Sequence, residues 1–178
     1  MKPGYVPGRI SGLFIIVFLL FILHACRPSP VSTWIFAAKE NNDYSVLYFR
    51  KKIEINTVPE ALHINISAKQ RYKLFVNGHF VGLGPQISDP EHWKYDSYDV
   101  SDYLNEGDNI FAAEVLNFGD FAGSNMFTSQ TGLWIECPSV PEINSSEEWK
   151  FMENNNHHPV RIKNTIHVRG GFLAPACD

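Results

Sequence analysis

Asp89, Glu91, Asp96, Asp99 and Asp102 crowd into one short polar stretch of the chain. Carboxylates so placed invite acid–base cleavage of an acetal, which needs two of them about 5 to 9.5 Å apart, one with its pKa raised by its pocket. The local pattern argues against it. Asp99 and Asp102 flank a predicted helical turn, where carboxylates cap backbone N–H groups, and Asp89 precedes Pro90 in a turn. No catalytic residue is assigned. A Ca²⁺ site from the same oxygens is the weaker alternative to no cofactor at all, since EF-hand spacing is absent. His157 and His158 are adjacent and would point to opposite sides of a strand, and no CxxC or HxxxH spacing exists, so no metal ligand is assigned either. A Gly-x-Ser-x-Gly elbow and a phosphate-cradling glycine loop are both missing.

Aromatic side chains offer a second kind of chemistry. Trp and Tyr cover the apolar C–H face of a sugar ring while neighbouring polar groups take its hydroxyls. His92, Trp93, Tyr95 and Asp96 form such a set and are the carbohydrate-binding candidates. The competing reading, which the sequence favours, is that Tyr95 and Tyr98 pack one end of the fold and Trp93 packs against a following domain. The loop Asn117-Phe118-Gly119-Asp120-Phe121-Ala122-Gly123 has the same mixture of phenylalanine and glycine.

These residues must be positioned by strands. Asn77-Gly78 sits between alternating arms, and a two-residue type I′ turn needs positive φ at both central positions, which Asn and Gly tolerate best. Tyr72 to Val76 and Phe80 to Leu83 are therefore the arms of a hairpin. Leu62, Ile64, Ile66 and Ala68 alternate with His63, Asn65 and Ser67, the period-two signature of a strand with one buried and one wet face. Asn109 to Leu116 is apolar on both faces apart from Glu114, which suits a central strand. Leu47 to Ile55, Leu133 to Cys137, Lys150 to Met152 and Val160 to Val168 complete the expected strands. Ser101 to Asn105 is the one helical turn, with Ser101 as N-cap and Gly107 ending it, and Asn154 to Pro159 is the clearest loop. Short strands with turn signals every ten residues or so predict an all-β, jelly-roll or galactose-binding-like antiparallel sandwich.

The hairpin Tyr72-Lys73-Leu74-Phe75-Val76-Asn77-Gly78, then Gly84-Pro85, Asp89-Pro90, Tyr98-Asp99 and Gly107-Asp108-Asn109 before a hydrophobic strand, resembles the N-terminal β-sandwich of bacterial α-L-rhamnosidases. The likeness runs from about Tyr44 to Lys150 and includes a strand-opening Trp149-Lys150. One departure is Gln86-Ile87-Ser88, where the family often carries a basic residue after Gly-Pro. The resemblance implies an accessory, carbohydrate-binding domain of a glycoside hydrolase, with rhamnose-containing glycans or the catalytic barrel as partners. In the family that barrel follows and holds the catalytic carboxylates, whereas this sequence ends at Asp178. A free-standing glycan-binding surface lipoprotein and an inactive gene fragment are the alternatives.

The N-terminus adds a location. Lys2 and Arg9 precede the apolar run Leu13 to Leu23, which is too short to span a bilayer of about 30 Å but suits a signal peptide. Leu23-His24-Ala25-Cys26 resembles a bacterial lipobox, so residues 1–25 are expected to be a lipoprotein signal, Cys26 the lipidated residue, and the cell envelope (outer membrane or cell surface) the destination. Residues 26–43, opening Arg27-Pro28-Ser29-Pro30, read as a tether, 44–170 as the sandwich and 171–178 as a tail or truncated linker. An exported chain permits a Cys137–Cys177 disulfide, which would contribute about 3 to 4 kcal/mol, while a buried, unpaired Cys137 stands equally beside it. A net charge of −4 without a run of like charges implies no nucleic-acid partner.

Overall fold

A computed structural model describes residues 31–36, 43–89, 91–123, 126–127, 130–159 and the backbone of 175–177. The signal segment 1–25, Cys26, the expected strand Val160–Val168 and most of the 171–178 tail lie outside the described residues. The strands are β1 (Ile35–Phe36), β2 (Ser45–Ile55), β3 (His63–Ala68), β4 (Arg71–Val76), β5 (His79–Gly84), β6 (Asp96–Asp99), β7 (Gly107–Asn117), β8 (Gly132–Glu136), β9 (Lys150–Glu153), β10 (His157–Pro159) and β11 (Pro175–Cys177). They form a four-stranded sheet in the order β1-β8-β3-β6, a five-stranded sheet in the order β5-β4-β7-β2-β9, and the separate pair β10-β11. All pairings are antiparallel, and the two larger sheets make the β-sandwich that alternation predicts.

Period two explains how the core is filled. Phe49, Ile53 and Ile55 on β2, Tyr72, Leu74 and Val76 on β4, and Phe111, Ala113 and Val115 on β7 are buried against Ile64 and Ile66 of β3 and Leu133 and Ile135 of β8. β7 is indeed central, paired with β2 over eleven residues from Ser45↔Asn117 to Ile55↔Gly107 and with β4 on its other side. Lys51 shares the inner face of β2 yet is only 8% exposed, and its Nζ meets Glu148 Oε2 at 2.8 Å. Partnering is what makes a buried ammonium tolerable.

The hairpin turn takes the expected conformation, with Asn77 at φ 51° and Gly78 at φ 81°. Asn77 also does more than turn. Its Nδ2 donates to Asn109 Oδ1 and to the Tyr103 carbonyl, both at 2.8 Å, while its Oδ1 accepts from the Ile110 N–H at 2.8 Å. Fully buried Asn109 in turn closes the 105–109 turn through the Asn105 N–H and the Asn105 and Gly107 carbonyls. A buried polar network is stable because each group is satisfied.

Several expectations need correction. Residues 31–36, placed in the tether, join the sandwich: Ile35 and Phe36 pair with Leu133 and Gly132, and the Thr33 N–H donates to the Ser145 carbonyl. Apolar residues beside an open sheet edge gain both ladder bonds and burial there. Ser101 is the first residue of a 3-10 turn (Ser101–Tyr103) rather than its N-cap, and the cap is supplied from outside by Asp99, whose Oδ1 accepts the Ser101 N–H at 3.0 Å. Asp96–Asp99 is a strand, and His157–Pro159 pairs with β11 instead of remaining loop. Ser67, placed on the wet face, is buried beneath aromatic rings. Cys137 is buried, with Sγ 3.7 Å from Ser139 Oγ, and the Cys177 side chain lies outside the described residues.

Candidate functional site

β3 sends Ile64, Ile66 and Ala68 inward, which obliges His63, Asn65 and Ser67 to face out. The same rule on β8 turns Trp134 outward between Leu133 and Ile135. Register places Trp134 beside Ser67, and Glu136 beside Asn65, whose Nδ2 donates to Glu136 Oε2 at 3.4 Å. Tyr95, just before β6, is 58% exposed and lies 6.0 Å, centroid to centroid, from the Trp134 ring. At the far edge, Gly132 makes room for Phe36: a Cβ there would stand 2.6 Å from its ring.

Trp93 is held over this face by Ser67. The Trp93 indole N–H donates to Ser67 Oγ at 3.0 Å, and the Ser67 hydroxyl donates to the Lys94 carbonyl at 2.6 Å. Trp34 packs edge-on to Trp93 at 6.0 Å and stacks on Phe36 at 6.1 Å. Lys69, in the connection between β3 and β4, lies with Nζ 4.4 Å from the centroids of both Trp34 and Trp93. Two ring quadrupoles attract the ammonium, while partial burial lowers its pKa. Five aromatic residues and one cation thus share the outer face of the four-stranded sheet. Behind Lys69 lies a notch of about 30 Å³ whose lining includes Gln70, Arg71, Ile87, Trp93 and Phe127.

Of the four carbohydrate-binding candidates, the structure brings Trp93 and Tyr95 together and separates the other two. Asp96, one residue past Tyr95, points toward the opposite sheet, where its Oδ2 accepts from Tyr72 Oη at 2.6 Å; burial and this bond push the Tyr72 phenol far up. Gly84 makes room for that pair, since a Cβ there would meet Asp96 Oδ2 at 2.0 Å. His92 is exposed and turned to Asp89, Nδ1 to Oδ1 at 3.0 Å. His92 and the Glu91 and His92 N–H groups hold the Asp89 carboxyl below its usual range, and Ser101 with the Leu62 N–H does the same for Asp99. A general acid needs the opposite shift. Trp34, Phe36, Lys69 and Trp134 escaped the sequence reading. Trp134 was legible, as the outward residue of an alternating strand, whereas the other three depend on long-range pairing.

The five-stranded sheet has a different outer face. Phe80, Leu83, Ile110 and Met152 are exposed there, and a groove of about 610 Å³ runs over Tyr48, Phe75, Ala112 and Phe151. A polar pocket of about 360 Å³, lined by Asp43, Asp120, Glu153, Asn154 and His158 among others, opens where β9 and β10 meet the loop after β7. Among the described residues no group of three or more His, Cys, Asp or Glu side chains is placed to hold a metal ion.

No protein-family model matches the chain, and no curated protein is significantly similar to it. Solved structures do match. A GH78 family rhamnosidase of Bacillus sp. GL1 aligns with a TM-score of 0.64 and 30% identity over 71% of this chain and 14% of that one. The α-L-rhamnosidase of Streptomyces avermitilis, complexed with L-rhamnose, aligns with a TM-score of 0.52 and 21% identity, over 72% and 13%. A lectin from Pleurotus ostreatus shares the fold at a TM-score of 0.51 and 22% identity, over 72% and 36%. The chain carries a β-sandwich of the α-L-rhamnosidase kind, and it spans about a seventh of the length of the enzyme it matches at 30% identity.

Proposed function

We propose that this chain supplies the accessory, glycan-holding domain of an α-L-rhamnosidase-like glycoside hydrolase, tethered to the cell envelope through a lipidated Cys26. The 30% identity to a GH78 rhamnosidase carries the family part of this reading. The aromatic outer face carries the glycan part. Trp93, Trp134 and Tyr95 offer flat apolar area, with the Ser67 hydroxyl, the Asn65 amide and the Lys69 ammonium as polar neighbours, which is the mixture a sugar ring demands. The described carboxylates Asp89, Asp96 and Asp99 are engaged as caps and pins, so their role is structural.

The apolar groove of the five-stranded sheet, with Phe80 and Met152 exposed beside it, favours an accessory domain over a free-standing lipoprotein, because exposed apolar surface of this extent marks a site for another protein surface. Calorimetric titration of the full chain with rhamnose-containing oligosaccharides tests the glycan reading. The expected result is a heat of binding, with an affinity that Trp93→Ala lowers roughly 30-fold. A protein that melts cooperatively but binds none of these oligosaccharides overturns it. Metabolic labelling with a radiolabelled fatty acid in the native cell tests the anchor: incorporation should vanish in Cys26→Ser, and an unlabelled wild-type product would refute lipidation.

A further inference from the structure

The notch behind Lys69 carries an excess of positive charge. The protein carries a net charge of −4, yet the lining of this notch holds two cations, Lys69 and Arg71, and no carboxylate. Its other walls are neutral, among them Gln70, Ile87, Trp93 and Phe127. They are also built: buried Gln70 donates through Nε2 to the Phe127 carbonyl at 3.2 Å and accepts the Phe118 N–H, and Arg71 Nη1 donates to the Pro85 carbonyl. Size narrows the occupant further. About 30 Å³ is far below the 300 Å³ or more of a pocket that swallows a ring, but it admits a group the size of one or two water molecules. Trp93 belongs both to the notch and to the aromatic face, so a ring lying on that face places a small substituent at Lys69.

We infer that this site takes an acidic saccharide, a uronate whose ring lies on the aromatic face and whose carboxylate enters the notch between Lys69 and Arg71. The inference rests on the glycan-holding reading above and names the class of glycan. An ammonium set against two indoles already sheds part of its hydration, so a carboxylate reaching it displaces less water than one meeting a free surface lysine.

The test uses the full chain and one oligosaccharide of alternating rhamnose and uronate, compared with the same oligosaccharide after carboxyl reduction, in which only the charge is lost. The acidic form should bind about tenfold more tightly in low salt. That preference should disappear in Lys69→Gln, survive in Lys69→Arg, and survive in Lys52→Gln, which removes an exposed cation from the other sheet. Equal binding of the two forms overturns the acidic-saccharide inference and leaves the glycan reading standing. Failure of both forms to bind a folded protein overturns both. A preference that persists in Lys69→Gln, or falls equally in Lys52→Gln, shows that it does not arise at this notch and overturns the site. Should Lys69→Gln not fold, the wild-type contrast and Arg71→Gln, read the same way, decide the matter.

Discussion

The two sheets give their inner faces to one core and spend their outer faces differently. On the four-stranded sheet the outward residues are Trp134, Tyr95 and Phe36 among a hydroxyl, an amide and an ammonium. On the five-stranded sheet they are Phe80, Leu83, Ile110 and Met152 with the groove residues Tyr48, Phe75 and Phe151 around the small Ala112, and the Lys73–Glu114 and Lys52–Asp108 ion pairs lie among them. A saccharide is amphipathic ring by ring, so it needs aromatic area and polar donors within one ring's reach. A protein surface offers apolar area and paired charges spread over a wider patch. The alternation that builds the core thus leaves each sheet one face free of folding duty, and the residue types placed there set the proposed ligand face apart from the proposed docking face.

The largest effect should come from disturbing the contact that sets β6 between these faces. Gly84→Ala forces a Cβ to within 2.0 Å of Asp96 Oδ2 and 2.8 Å of Tyr72 Oη. One of the three must move, at a cost of about 2 to 3 kcal/mol seen as a lower melting temperature. Glycan binding should weaken with it, because Tyr95 precedes Asp96 directly. Unchanged stability would show that β6 is not pinned there. Trp93→Ala comes next. Loss of a central aromatic contact should weaken glycan binding by about 2 kcal/mol, or roughly 30-fold, while the outer face of the five-stranded sheet is untouched. The matching change on that other face, Leu83→Ser with Phe80→Ser, should alter glycan affinity less than twofold and stability by about 0.5 kcal/mol or less, yet reduce self-association in sedimentation. If both variants weakened glycan binding alike, the contrast between the two faces would collapse.

Legibility in the sequence followed the range of the interactions. Asn77-Gly78 and the alternation of Ile64, Ile66, Leu74 and Phe111 are local facts, and they carried the hairpin, most of the strands and the sandwich. The β1 edge was hidden because Trp34-Ile35-Phe36 is too short to show a period and gains its structure from Leu133 and Gly132, about a hundred residues away. Of the site, Trp93 and Tyr95 were visible as aromatics in a polar stretch. Asp96 was grouped with them by proximity in sequence, and β6 undid the grouping: once 96–99 is extended, adjacent residues face opposite ways. Lys69 was unremarkable in sequence, since only the fold brings Trp34 and Trp93 together against it.

The smallest effect is expected at the far end of β6, where Asp99 works for folding rather than for binding. Its Oδ1 accepts the Ser101 N–H at 3.0 Å, the Ser101 hydroxyl at 2.8 Å and the Leu62 N–H at 3.0 Å, which hold the carboxyl below its ordinary range. With the folded pKa depressed, the unfolded chain binds the proton first as pH falls. The stabilisation is therefore complete above the ordinary carboxylate pKa of about 4, and it drains away as pH drops through that value toward the lower folded one. Asp99→Asn keeps an oxygen acceptor and cannot titrate. Its melting temperature should lie below wild type at pH 7 and close on it as pH falls below about 4, with glycan affinity at pH 7 unchanged. A gap in melting temperature that stayed constant over that range would show that the charge contributes nothing beyond the acceptor. A loss of glycan affinity at pH 7 would extend the binding face along the whole of β6, past Tyr95, and blur the division between its binding and folding ends.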